Sequence, residues 1–339
     1  MTAGDGVRKA LIVLSLPAAA LTSLMLGRYY LPPQVVFSTV AQAILTHHAP
    51  ANSFSVPWVI VVLYRAPRIV AALLIGIALS VSGASLQSML RTPLVDTYIL
   101  GVTSGAAFGA ALAIAFLPPS IPVEPVAMVT AILAFIAVLT IAWGWGRGSV
   151  IALILSGIII NAIFSALLSL AQFLTPNIHR LAAITFWLMG DVGRAADWWK
   201  VVRMLAVIAP CTAFLLASRW RLNALSLGDD EAKALGVRPS LERGLYSVVC
   251  AVMTASAVAY AGIIGWVGLL VPNIVRLLVG SDNRVVITYS ALLGGTYLLI
   301  ADDLSRALTS QEIPIGILTT IMGAPFFIYL LRRAGRVWR

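Results

Sequence analysis

The sequence predicts an all-α polytopic membrane protein with about ten transmembrane helices, on the evidence of its composition, its hydropathy and its apolar runs. Of the 339 residues, 60% are hydrophobic and only 11% are charged, and the mean hydropathy is +0.97. A typical soluble domain carries about 25% charged residues, and a globule of this size could not hide so much apolar surface from water. The composition excludes a soluble enzyme, a nucleic-acid-binding protein and a secreted disulfide scaffold. We expect one transmembrane domain over residues 1–339, with a cytoplasmic loop at residues 219–242.

Ten apolar runs account for the predicted helices, since a helix that crosses a bilayer needs roughly 20 apolar residues. The runs occupy residues 10–26, 69–90, 98–117, 126–145, 150–174, 201–217, 246–264, 266–279, 285–300 and 315–331. The eighth run is short, follows Gly265 and is interrupted by Gly268 and Pro272. In transporters such a broken segment often lies near the substrate pathway, although a short half-buried helix would have the same pattern.

The basic residues orient the chain, because Lys and Arg are more frequent in cytoplasmic loops. With a cytoplasmic N-terminus, fifteen basic residues lie inside: Arg8, Lys9, Arg91, Arg147, Arg219, Arg221, Lys233, Arg238, Arg243, Arg276, Arg284, Arg332, Arg333, Arg336 and Arg339. Eight lie outside or at outer helix ends: Arg28, Arg65, Arg68, Arg180, Arg194, Lys200, Arg203 and Arg306. This bias predicts a multi-pass protein of the plasma or inner membrane with both termini in the cytoplasm.

Cysteine and histidine residues give little sign of a disulfide or a metal site. Cys211 and Cys250 lie in apolar runs, so we expect neither a disulfide nor metal binding. The adjacent His47 and His48 lie in a long outer loop at residues 28–67, which has room for a surface helix. They lack a nearby third ligand and are therefore a weak metal or haem candidate. The N-terminus fits either a signal peptide or a retained first helix, and we favour the retained helix.

The predicted spans lack the groups that ion-driven carriers use. Such carriers place carboxylates or histidines inside their helices, whereas the runs at 98–117, 126–145, 150–174 and 246–264 contain no charged residue. The sequence also has no G-x-x-x-x-G-K-[ST] phosphate loop, so we do not expect the chain itself to hydrolyse ATP. Both features favour a separate ATPase partner. The alternative is an ion-coupled secondary carrier or channel acting without ATPase partners. A membrane enzyme is disfavoured, because no span carries a catalytic pair.

The inner loop predicts a short docking helix. Residues 229–231 are acidic and stand where a helix would begin, which complements the helix dipole. Gly236 can end that helix in the left-handed conformation, and Asp229 and Lys233 have the spacing of an i,i+4 ion pair. A helix of about two turns is not stable alone. It therefore docks either on its own bundle or, as we favour, in the groove of a soluble subunit.

Short motifs follow one another from residue 65 onward. Residues 65–68 read Arg-Ala-Pro-Arg, 82–87 Ser-Gly-Ala-Ser-Leu-Gln, 91–94 Arg-Thr-Pro-Leu and 99–106 Ile-Leu-Gly-Val-Thr-Ser-Gly-Ala. Further on, residues 187–190 read Trp-Leu-Met-Gly, 268–276 Gly-Leu-Leu-Val-Pro-Asn-Ile-Val-Arg, 312–316 Glu-Ile-Pro-Ile-Gly and 323–327 Gly-Ala-Pro-Phe-Phe. In this order the motifs resemble the FecCD family, the permease subunits of type II ABC importers for iron-siderophores, haem and cobalamin.

The resemblance implies a type II ABC importer permease fold with ten helices, assembled as a homodimer around a translocation path. Two ABC ATPase subunits would bind the cytoplasmic side and hold ATP and Mg, so this chain would need no cofactor of its own. A substrate-binding protein would dock on the outer side, and membrane lipid would surround the bundle. The chain would then import an iron-siderophore or a related chelate such as haem or cobalamin, by alternating access and without covalent chemistry.

The resemblance also implies roles for particular residues. Three arginines would face the binding protein: Arg65, Arg68 and Arg306. Two turns would form the cytoplasmic gate: Thr92, Pro93 and Leu94 in the first, and Ser149, Val150 and Ile151 after Arg147 in the second. The ATPase coupling segment would comprise Leu227, Gly228, Asp229, Asp230, Glu231, Ala232, Lys233, Ala234, Leu235 and Gly236.

The outer arginines also carry an argument from spacing. Arg65 and Arg68 lie one helical turn apart around Pro67, so a helix beginning there would aim both at the solvent. Asp302 and Asp303 would orient Arg306. Anchoring to lipid phosphates is the alternative role for these arginines.

Three positions depart from the family pattern, with Thr92 in place of the usual Asn, Thr97 in place of Pro and Asn273 in place of His. These departures do not affect the assignment to a class of transporter, and the motifs do not identify the substrate. A separate pattern, Gly101, Gly105 and Gly109, places a smooth stripe on one helix face, which favours close packing against a neighbouring helix.

Overall fold

A computed structural model describes residues 3–27, 29–46, 55–146 and 148–334 of the chain. His47, His48, Arg28, Arg147, Arg336 and Arg339 lie outside these residues, so the predictions made for them have no structural description. Within the described ranges every regular element is helical.

Fourteen helices make up the described part of the chain. They are α1 (Ala3–Met25), α2 (Pro33–Thr46), α3 (Val56–Met89), α4 (Val102–Phe116), α5 (Val123–Gly146), α6 (Val150–Phe173), α7 (Ile178–Leu188), α8 (Trp198–Ala217), α9 (Arg219–Leu227), α10 (Asp229–Ala234), α11 (Pro239–Ala261), α12 (Val267–Val279), α13 (Asn283–Ala307) and α14 (Ile315–Ala334). Single 3₁₀ turns cover Thr97–Leu100 and Val192–Ala195.

The helices agree with the predicted fold class. Seven of those described, α1, α3, α5, α6, α8, α11 and α13, are long and apolar enough to cross a membrane, and α4, α7, α12 and α14 are shorter apolar helices. Each of the ten predicted runs coincides with one of these helices. The eleventh, α7, lies in a segment that hydropathy alone left unassigned.

The start of α3 is a correction to the sequence prediction. The predicted run began at residue 69, but the helix begins at Val56 and includes a π-helical segment over Val59–Arg65. Pro67 explains that segment, because proline has no amide hydrogen to donate and its ring clashes with the carbonyl one turn earlier. A widened turn before it gives the ring room. The predicted outer loop is therefore shorter than expected.

The centre of the bundle is α3, which packs against α11, α12 and α13. From Ala71 to Met89 most of its side chains are buried. Two glycines allow the close approach, since a Cβ on Gly76 or Gly83 would collide with the backbone of Gly294 or Gly268. The predicted stripe on α4 packs in the same way. A Cβ on Gly105 would lie 2.6 Å from the Cβ of Ala134 in α5.

The connections between helices gather at two ends of the bundle. The first, which we call the Asp229 end, holds residues 91–94, residues 148–151 and the segment at 219–242. Contacts of Asp229 and Arg243 join them. The second, the Asp302 end, holds residues 65–68, the turn Val192–Ala195 and residues 302–314, which meet around Arg68. The candidate sites lie at these ends and in a cavity between α7, α12 and α14.

Candidate functional site

The predicted loop at residues 219–242 contains two short helices, α9 and α10, separated by Gly228 at φ +148°, and the predicted coupling segment at residues 227–236 runs from the last residue of α9 through α10. This loop is only partly buried. Leu222, Leu225 and Ala232 pack into the core, whereas Leu227 and Leu235 are exposed apolar side chains. Gly236 at φ +79° ends the segment in the left-handed conformation, as predicted. The buried leucines attach the segment to its own bundle, and the two exposed leucines leave an apolar surface for another protein.

The ion pairs of α10 differ from the prediction. Lys233 pairs with Asp230 through an Nζ–Oδ1 distance of 2.9 Å, rather than with Asp229. This contact lowers the pKa of Asp230 and raises the pKa of Lys233. Asp229 instead faces the bundle, where its carboxylate contacts Arg91 and Arg243. The reason is that Arg243, whose side chain is buried, lies against the first residue of α10 and binds its carboxylate.

The first predicted gate turn follows α3. Arg91 ends that helix in the left-handed conformation, with φ +56°, which a side chain with a Cβ rarely adopts. The carbonyl of Pro93 accepts a hydrogen bond from Nδ2 of Asn273 at 3.0 Å, which ties the turn to α12. Leu94 then extends outward, with 59% of its surface exposed.

The second predicted gate turn lies between α5 and α6. Gly148 has φ +70° and donates its amide to the carbonyl of Ala142 at 3.0 Å. Ser149 caps α6, its hydroxyl accepting from the amide of Ala152 at 3.2 Å. Val150 is half-buried, and Ile151 is exposed. Both turns thus carry an exposed branched aliphatic side chain, as a gate would require, although the gating role itself stays a prediction.

The three predicted docking arginines lie together at the Asp302 end. Arg65, Arg68 and Arg306 line one cavity of about 300 Å³, with Tyr29, Tyr64 and Glu312 also in its wall. Their guanidinium groups nevertheless make hydrogen bonds and ion pairs within the chain. The expectation that Arg65 and Arg68 both point to solvent is therefore wrong in its geometry, while the docking role stays a prediction.

Arg65 turns inward to the end of α1 and to the chain just after it. It is buried, and its guanidinium donates to the carbonyls of Leu24 and Tyr29 at 2.6 Å each. The last carbonyls of a helix have no partner in the helix and carry a partial negative charge. These groups attract the guanidinium more strongly than open solvent does, which accounts for the difference from the prediction.

Arg68 and Arg306 share one buried carboxylate. Nη2 of Arg68 lies 2.9 Å from Oδ1 of Asp302, and Nε of Arg306 lies 3.3 Å from Oδ2 of the same residue. Arg68 also contacts Glu312 at 2.8 Å, and Arg306 pairs with Asp303. The prediction that Asp302 and Asp303 orient Arg306 is confirmed.

A cavity of about 580 Å³ opens between the ends of α7, α12 and α14. It brings together several predicted motifs, and its lining includes Met189, Gly265, Trp266, Leu269, Gly316, Ile317 and Thr320. Backbone hydrogen bonds join the amide of Gly316 to the carbonyl of Met189 at 3.1 Å and the amide of Ile315 to that of Gly190 at 3.2 Å. The short, broken eighth run forms the half-buried helix α12, and the start of this run lines the cavity; its part in a substrate pathway stays a prediction.

Two polar residues in this cavity were not among the sequence candidates. Asp96 accepts from the amide of Thr97 at 2.6 Å and begins the 3₁₀ turn that carries Tyr98. Loss of solvation raises the pKa of the Asp96 carboxyl. Among the described residues no group of three or more His, Cys, Asp or Glu side chains is arranged to hold a metal ion.

Comparisons with known proteins all point to membrane transporters. Residues 14–333 match the family model of the FecCD transport family. The chain is 38% identical to the molybdate import system permease MolB of Haemophilus influenzae, over 96% of each chain. It is also 38% identical to the cobalamin import system permease BtuC of Halobacterium salinarum, over 94% of this chain and 93% of that one. A solved structure described as a metal-chelate type ABC transporter in an inward-facing conformation matches with a TM-score of 0.83 and 36% identity, over 97% of this chain and 99% of that one.

Proposed function

The chain belongs to the FecCD transport family, and we propose on that basis that it imports an iron-siderophore or a related chelate, driven by separate ATPase subunits. As a member of this family it is a multi-pass membrane permease subunit of an ABC importer for a metal chelate, haem, cobalamin or molybdate. The observation that carries the proposal is the family match across residues 14–333. The ion-coupled carrier is disfavoured, because a family of ABC permeases takes its energy from ATP.

Two ATPase subunits would bind at the Asp229 end, which then faces the cytoplasm together with both termini. The support is the surface of α9 and α10, where Leu227 and Leu235 stand exposed between charged residues. An apolar pair of this kind gains free energy when a partner covers it. The helix α10 has only six residues and is too short to persist without packing.

A second copy of the chain would complete the translocation path. The support is α6, whose face bears the exposed side chains of Ile151, Leu155, Ile158, Ile159 and Ile163. Such a face suits either lipid or an identical helix related by a two-fold axis. In the homodimer the two gate turns of each copy would meet their counterparts on that axis.

The lining of the 580 Å³ cavity supports the proposed substrate class. Its charged and phenolic groups are Asp96 and Tyr98, and none of its lining residues is Lys or Arg. A free oxyanion such as molybdate would be recognised by cationic groups or amide donors, and this lining supplies no cationic side chain. The lining therefore favours a large chelate over an oxyanion. Molybdate remains the second candidate because of the 38% identity to MolB.

A substrate panel tests this proposal. The complex with its ATPase subunits and binding protein is placed in proteoliposomes, and ATP-dependent uptake of a ferric siderophore, haem, cobalamin and molybdate is compared. We expect uptake of one of the chelates, and none of molybdate. An inactive ATPase subunit is the matched control. Uptake of molybdate and of none of the chelates would show that the substrate is the oxyanion.

A further inference from the structure

Asp229 joins the coupling segment to the first gate turn. It is the first residue of α10, and its Oδ1 accepts a hydrogen bond from Nη2 of Arg91 at 3.3 Å. Arg91 belongs to the turn after α3, directly before Thr92, Pro93 and Leu94. Both side chains are 40% exposed, so this contact is a flexible link that can follow a moving helix.

Asp229 also joins the coupling segment to the second gate turn, through Arg243 of α11. Nη2 of Arg243 donates to the same Oδ1 at 2.7 Å, and its Nη1 donates to the carbonyl of Gly148 at 2.9 Å. Gly148 immediately precedes Ser149, Val150 and Ile151. One carboxylate oxygen is therefore shared by contacts that lead to both turns.

The second link is the more rigid of the two. Arg243 is 1% exposed, and a guanidinium shut away from water depends on its few partners. Gly148 is confined as well, because a Cβ there would lie 2.7 Å from both Ser240 and Trp143. A displacement of Asp229 cannot be absorbed by free rotation of Arg243, so the carbonyl of Gly148 has to follow.

We propose that Asp229 is a positioning residue that transmits the movement of α10 to both gate turns, through Arg91 to residues 91–94 and through Arg243 to residues 148–151. The inference rests on the proposed function, since an ATPase partner is what would move α10. Neighbouring acids do not share this arrangement. Asp230 pairs with Lys233 inside α10, and Asp282 pairs with Arg284, two residues further along the chain.

The test compares Asp229→Asn with Asp282→Asn in the complete complex. Both wild-type side chains are 40% exposed at the same end of the bundle, and asparagine preserves size while removing the charge. In Asp229→Asn we expect normal ATPase attachment and hydrolysis with uptake lowered at least about tenfold, because the charge-assisted hydrogen bonds from Arg91 and Arg243 are both weakened. Asp282→Asn should leave uptake unchanged, since asparagine also caps the helix that follows.

A second readout separates transmission from simple stability. Single cysteines at Leu94 and Ile151 are labelled with a thiol reagent in the presence and absence of ATP. In the wild-type background the labelling rate at both positions should change with nucleotide, and in Asp229→Asn both changes should be lost. Arg91→Lys should keep most of the Leu94 response, because it retains a cation, whereas Arg91→Gln should lose it.

The outcomes distinguish this inference from the proposed function. A wild-type complex without ATP-dependent uptake would reject the proposed function itself. A working wild type together with normal uptake and labelling in Asp229→Asn would overturn the transmission role alone. Loss of ATPase attachment in Asp229→Asn would also overturn it, because Asp229 would then be a docking residue.

Discussion

Arg68 holds Asp302 at two points, with Nε 3.0 Å from Oδ2 and Nη2 2.9 Å from Oδ1. The pair joins α3 to α13 across 234 residues of sequence. Asp302 is only 1% exposed, so its charge depends on this contact and on that of Arg306. The pair fixes the geometry of the cavity in which the three predicted docking arginines meet.

The first prediction concerns the stability of this end. Asp302→Asn removes the buried charge that Arg68 and Arg306 share, and we expect a loss of about 3–5 kcal/mol in unfolding free energy. The exposed neighbour provides the control. Glu312→Gln should cost less than about 1 kcal/mol, because solvent screens that pair. Thermal unfolding of the purified chain in detergent compares the two variants. Equal losses of stability would contradict the prediction that the buried carboxylate contributes more than the exposed one.

The second prediction concerns the docking of the substrate-binding protein. Charges at the rim of an interface mainly set the association rate and its salt dependence. We therefore expect docking to weaken as salt rises, and Arg306→Glu to lower docking and uptake without releasing the ATPases. Lys200→Gln is the matched control, since Lys200 pairs with Glu124 away from the arginine cavity. Unchanged docking in a stably folded Arg306→Glu variant would leave these arginines a structural role only.

The third prediction concerns the coupling surface. Leu235 is exposed and Ala232 is fully buried, so an aspartate has different effects at the two positions. Leu235→Asp should release the ATPase subunits while the chain remains stable, because the change alters only the docking surface. Ala232→Asp should instead lower the unfolding temperature, because it buries a charge. Leu235→Met is the conservative control. Co-purification of the ATPase and thermal unfolding are the two measurements, and retained ATPase in Leu235→Asp would remove Leu235 from the interface.

The fourth prediction concerns the first gate turn. Cysteines at Leu94 should cross-link two copies of the chain in at least one nucleotide state, and the cross-link should block transport. The adjacent Val95 is buried, so a cysteine there is a matched negative control. Both native cysteines, Cys211 and Cys250, are replaced first. Failure of the Leu94 cysteines to cross-link in every nucleotide state would place the gate elsewhere.

Hydropathy and motif order were enough to predict the helices and the family, because both depend on residues close together in the chain. The glycine stripe on α4 and the orientation of Arg306 were predictable for the same reason. The start of α3 was not, since Arg65 and Pro67 lower the hydropathy of a segment that is nevertheless helical. Its signal was the apolar stretch at residues 56–64.

The contacts of the site residues could not be predicted from local spacing. Arg65 binds the end of α1, about 40 residues away in sequence. Asp229 contacts Arg91 and Arg243 rather than the nearby Lys233. In each case the partner is brought close by packing between helices, and sequence spacing carries no information about it. Arg243 was recognised only as one of the basic inner residues, although its burial makes it central to the Asp229 end.

Uptake by proteoliposomes tests most directly whether this permease is driven by ATP through separate subunits. The chain is reconstituted with and without its ATPase partner, and uptake of the accepted chelate is measured with ATP or with an imposed proton or sodium gradient. We expect uptake only when the ATPase and ATP are both present, with no effect of an ionophore. Uptake by the chain alone, driven by the gradient and abolished by the ionophore, would contradict this expectation.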